Sequence, residues 1–180
     1  MNSYPRAVAV LEVTVTALLW LALYYLNAWV FSLAVFTKTV SWVFLPAAIR
    51  LLAVLLWDWR GALGIWVGTL ATNVGVFAVL SPESLGVASI SAAAPLLAVS
   101  MMRHRLHLHR DLAGLDARSL ALLALASAAF SVVLHSLFFL SLGLFQGGFA
   151  AAFSMLVGDA LGTLLVLYFV KFAARVAALL

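Results

Sequence analysis

Apolar residues run through this chain in long stretches, each closed by a short polar turn. Six segments can be read: residues 8–36, 40–57, 62–80, 85–102, 119–145 and 149–172. Most suit a bilayer, whose hydrocarbon core takes about 20 helical residues. Thr37-Lys38-Thr39, Asp58-Trp59-Arg60-Gly61, Ser81-Pro82-Glu83-Ser84 and Gln146-Gly147-Gly148 carry turn chemistry. Only residues 103–118 leave room for a longer loop. The pattern predicts an all-α integral membrane protein, a bundle of six transmembrane helices forming one domain over residues 1–180. The first segment would be about 43 Å long as a single helix, against a core of about 30 Å. It must tilt, protrude, or break near Tyr24-Tyr25-Leu26-Asn27, leaving residues 28–40 as an interfacial or re-entrant piece.

Composition agrees. Sixty-seven per cent of the 180 residues are hydrophobic, 9% are charged, and mean hydropathy is +1.20. A soluble domain is closer to half apolar and a quarter charged. The absence of cysteine removes disulfides, thiolate metal sites and thiol nucleophiles. A pI near 10.0 would suggest nucleic acid for a soluble chain. Here the basic residues sit in short loops and act as orientation signals, so no nucleic-acid partner is expected.

Those charges set the orientation. Six spans put Arg6, Arg60, Arg103, Arg105, Arg110, Arg118, Lys171 and Arg175 on one side, eight of the ten Lys and Arg. Lys38 alone falls on the other side, and Arg50 lies within a segment. Positive charge stays cytoplasmic, so both termini are expected inside, in a plasma or bacterial inner membrane. Trp29, Trp42, Trp57, Trp59 and Trp66 fall near segment ends, as an aromatic belt requires.

Arg50 and Asp159 then stand out, each about ten residues into a lipid-compatible stretch. An ionised side chain at that depth costs several kcal/mol, so it faces protein and finds a partner. Counted at about 1.5 Å per residue, Arg50, Asp159, His135 and Asn73 share one layer on four segments. Two readings stay open. One is an interhelical clamp; the other is a site for a small polar or anionic ligand, Arg50 offering a planar fork of donors. Gly64-Ile-Trp-Val-Gly68 and Gly158-Asp-Ala-Leu-Gly162 have the spacing that lets helix backbones approach closely. Glu12, near the cytoplasmic end of the first segment, reads as interfacial.

The loop Arg103-His-Arg-Leu-His-Leu-His-Arg110 has imidazoles spaced for chelation, but its three arginines repel a cation, and no metal is expected. A cationic loop lying on anionic headgroups, or docking a signalling partner through Arg103, Arg105 and Arg110, fits better. No cofactor is implied. Catalysis is not expected: Asp159 is the only deep acid, and no Gly-x-Ser-x-Gly, His-Glu-x-x-His or phosphate-binding glycine loop occurs.

Two stretches carry a resemblance. Residues 42–73, from Trp42-Val-Phe-Leu-Pro46-Ala-Ala-Ile-Arg50 through Gly64-Ile-Trp-Val-Gly68 to Asn73, resemble part of the membrane-associated sensor (MASE) domain family, its first type. Leu156-Val-Gly158-Asp159-Ala-Leu-Gly162 is similar to that family's last helix. Members are multi-helix bundles of bacterial inner membranes, joined to histidine kinase or diguanylate cyclase output domains. The chain departs from the pattern at Ala48, where glycine is common, and at Leu167-Tyr168, where a proline is frequent. It also has fewer helices. With no output domain after Leu180, the resemblance implies signalling through a separate partner, or an output region lost or cut away. The expectation is a sensory or signal-relay module binding a small polar ligand or partner helix. The alternative is a substrate-binding membrane subunit of a vitamin-type importer.

Overall fold

A computed structural model describes residues 6–37, 40–74, 80–105, 116–145 and 147–177. Six helices appear among them: α1 (Arg6–Val30), α2 (Pro46–Trp57), α3 (Trp59–Asn73), α4 (Pro82–Arg105), α5 (Ala117–Ser141) and α6 (Gly148–Ala177). Between α1 and α2 lie a 3₁₀ turn (Ser32–Ala34) and a hairpin of β1 (Val35–Thr37) and β2 (Val40–Ser41). The first helix runs unbroken through Tyr24-Tyr25-Leu26-Asn27 and ends at Val30, after which the chain turns back through the hairpin.

Four helices are long and apolar enough to cross a membrane: Arg6–Val30, Pro82–Arg103, Ala117–Ser141 and Gly148–Val170. Their outward faces are apolar. On α1 the buried positions are Glu12, Thr16, Ala17, Trp20 and Asn27, while Val10, Leu11, Leu18 and Leu19 point outward. A stripe of polar residues turned inward, with leucines turned outward, is stable only where the surroundings are as apolar as the leucines.

Six helices match the expected number, and those of the second and third segments are the shortest among the described residues. α2 has 12 residues and α3 has 15, about 18 and 22 Å at helical rise. α2 falls short of a hydrocarbon core of about 30 Å. Residues 42–45 are not helical. Pro46 explains the start: without an N–H it suits the first turn of a helix and no later one. Leu45 N–H is satisfied from outside, donating to Asn27 Oδ1 on α1 at 2.8 Å.

α2 is the central helix. Nine of its twelve residues are buried, and it touches all five others. Around it α1, α3, α4, α5 and α6 follow one another, each packed on the next. The gap between α1 and α6 is bridged at one end by the hairpin, which leans on α6. Ile49, Leu51, Val54, Ile65, Val99 and Leu123 form a contiguous core. A cavity lies nearer the hairpin, with Val35, Val40 and Ser41 in its lining.

The two glycine patterns differ in what they admit. A side chain at Gly64 would meet Thr16 Cβ at 2.5 Å, and one at Gly68 would meet Trp20 Cγ at 2.8 Å. That is the helix-on-helix groove the spacing predicts. Gly158 and Gly162 instead receive extended backbone, the carbonyl oxygens of Ser41 and Phe44 filling the space of the missing side chains. Phe44 N–H donates to the Gly158 carbonyl at 3.0 Å. The second groove therefore holds residues 41–45 rather than a helix, and this keeps α2 short.

Candidate functional site

Arg50 projects from the first turns of α2 and is 3% exposed. Its Nη2 lies 2.5 Å from Asp159 Oδ2 on α6. Nη1 donates to Ser131 Oγ on α5 at 2.8 Å. The guanidinium carbon sits 5.4 Å from the centre of the Phe44 ring, within range of a cation–π contact. Each placement has a local cause. Pro46 fixes where α2 begins, and the close fit of residues 41–45 on Gly158 and Gly162 brings Asp159 within reach.

His135 lies one residue further along this network. Its Nδ1 is 2.8 Å from the Ser131 carbonyl. A carbonyl only accepts, so Nδ1 donates in that bond, and the other ring nitrogen is Nε2. Ser91 Oγ of α4 lies 3.5 Å from that Nε2. Asp159, Arg50, Ser131, His135 and Ser91 thus form a polar chain across α6, α2, α5 and α4.

Asn73 is not bonded to that chain. Its Nδ2 donates to the carbonyl and hydroxyl of Ser84 at 3.2 and 3.3 Å, tying the end of α3 to the start of α4. What unites Asn73 with Arg50, His135 and Asp159 is a cavity of about 200 Å³, which all four line. Trp20, Asn27, Phe44, Thr69, Thr72 and Phe139 complete the surfaces that matter most. Trp20 Nε1 donates to Thr72 Oγ1 at 3.2 Å, which fixes its ring on the wall.

Several of these positions escape a reading of the sequence. Ser131 precedes His135 by one helical turn, a spacing that marks a shared face. Asn27 and the Phe44-Leu45 pair carry no comparable signal. Their role depends on the chain folding back after Val30. Glu12, expected at the interface, turns inward and is buried, its Oε2 accepting from Arg60 Nη1 at 3.2 Å. Arg103 and Arg105 occupy the last turn of α4, where positive charge complements the helix dipole. Arg110, His107 and His109 lie outside the described residues.

An array of helices with apolar faces outward, four of them of membrane-crossing length, marks a membrane protein. No family model, curated protein or solved structure matches the chain.

Proposed function

We propose that this chain is a multi-pass protein of the bacterial inner membrane, with both termini cytoplasmic. In this reading it serves as a sensory or signal-relay module and binds a small polar ligand at the Arg50–Asp159 layer. One observation carries the reading: an ion pair from two helices, a histidine and an asparagine from two more all line a single cavity. Intramembrane ionisable residues that face a cavity mark ligand or ion sites. The eight-to-one distribution of loop charges supports the orientation. With it the cavity lies towards the non-cytoplasmic face, where an external ligand would arrive. The MASE-like Gly158-Asp159-Ala-Leu-Gly162 stretch supports a sensory role over a passive scaffold. Mass spectrometry of small molecules retained by the purified protein tests ligand binding. Reporter fusions after Lys38, Glu83 and Gln146 should read non-cytoplasmic; a cytoplasmic signal at Gln146 would overturn the topology.

A second reading, the substrate-binding subunit of an importer, is favoured by α2. It is a short helix whose N-terminal end opens beside the cavity, as interrupted helices do at transporter substrate sites. Accumulation of the retained molecule in cells expressing the chain would select this reading. A response without accumulation would select the sensory one.

A further inference from the structure

On the ligand-binding reading above, the cavity's own chemistry narrows what enters it. Arg50 Nε and Thr69 Oγ1 are buried, belong to side chains lining the cavity, and have no hydrogen-bond partner among the described residues. A buried polar group left without a partner is costly. Arg50 Nε can only donate, so what it lacks is an acceptor.

The charge of Arg50 is already met, because the Asp159 carboxylate lies 2.5 Å from Nη2. A ligand with further negative charge would face that carboxylate across a low-dielectric site, and a cation would face the guanidinium. Much of the rest of the lining is aromatic, with Trp20, Tyr24, Phe44 and Phe139 among the residues that border the space. Trp20 and Phe44 are locked edge to face at 5.9 Å, which leaves rigid faces for another ring to pack on. Size adds a bound. A cavity of about 200 Å³ corresponds to about seven waters, below the range of pockets for drug-sized ligands.

We infer that the cavity binds a small uncharged molecule with one aromatic ring and a hydrogen-bond acceptor. Arg50 Nε–H takes the acceptor, and Trp20, Phe44 and Phe139 hold the ring. Four probes of one size test this on the full chain in lipid nanodiscs, by calorimetry: benzamide, benzoate, benzylammonium and cyclohexanecarboxamide. Benzamide should bind saturably and about tenfold more tightly than each of the others, the scale of one well-placed contact. Arg50→Lys keeps a charge opposite Asp159 but loses Nε, and should weaken benzamide about tenfold. Phe139→Leu, which does not touch the ion pair, should erase the preference for benzamide over its saturated analogue. Binding led by benzoate or benzylammonium, or equal binding of the saturated amide, overturns the inference and leaves the cavity a ligand site. No saturable binding by any probe overturns it as well. If the purified protein also retains no small molecule, the ligand-binding reading falls with it.

Discussion

Two arginine–carboxylate pairs join helices in this bundle, in different surroundings. Arg60 and Glu12 link α3 to α1 across 3.2 Å, with side chains 22% and 9% exposed. Arg50 and Asp159 link α2 to α6 across 2.5 Å, each 4% exposed, beside a cavity and with Arg50 Nε unpartnered among the described residues. The first pair lies near helix ends, where the surroundings share its charge. The second is more deeply buried and borders a cavity. A clamp needs no spare donor beside an open space; a binding site does. Burial and the adjoining cavity, more than the presence of a salt bridge, separate the two roles.

The largest expected effect comes from breaking the inner pair on one side. Arg50→Leu or Asp159→Leu leaves a buried charge without its counterpart and should cost about 3–5 kcal/mol, read as a fall in melting temperature in a matched lipid. A loss no larger than that at the outer pair would erase the contrast. Next comes Asn27→Leu, which strands the Leu45 N–H now bonded at 2.8 Å. Stranding a buried amide costs about 1–3 kcal/mol, and the segment covering the cavity should become the first to exchange its amide hydrogens. Glu12→Leu at the outer pair should cost only about 1 kcal/mol, its partner being partly exposed, and should leave ligand retention unchanged.

A third carboxylate extends the series to full exposure. Asp116 caps α5, accepting from Ser119 N–H at 2.7 Å, and the Ser119 hydroxyl, followed by that N–H, holds its pKa below the ordinary carboxylate value of 3.8. A lowered folded-state pKa stabilises the fold above the unfolded value, and the contribution is lost as pH falls through the folded one. Asp116→Ala should therefore lower the melting temperature least of all. The difference from the parent chain should persist at neutral pH and shrink only below about pH 4.

Much of this was legible in the chain. Arg50 and Asp159 declare themselves because charge inside an apolar run has few tolerable environments. Their shared depth follows from counting about ten residues from the same membrane face along the second and sixth segments. The path of residues 40–45 was not legible, since Val-Ser-Trp-Val-Phe-Leu is as apolar as any spanning helix. Pro46 hints at a start, but the groove that draws this stretch out of helix lies far away, at Gly158 and Gly162. Gly-x-x-x-Gly spacing reports a place of close approach and says nothing of what approaches. The hydroxyls of Ser131, Thr69 and Thr72 were hidden for a related reason. Serine and threonine satisfy themselves on helix carbonyls throughout such bundles, so only the fold shows which ones face a cavity.

The central claim is that the inner pair serves a ligand and is not only a clamp. Its most direct test is the double replacement Arg50→Leu with Asp159→Leu, measured for melting temperature and for small molecules retained on purification, beside the parent chain. Removing both charges together can be nearly neutral for stability. The account predicts a melting temperature close to the parent's, well above that of either single variant, with the retained molecule lost. A double variant that is equally stable and still retains the molecule would contradict it, and would leave Arg50 and Asp159 a structural clamp.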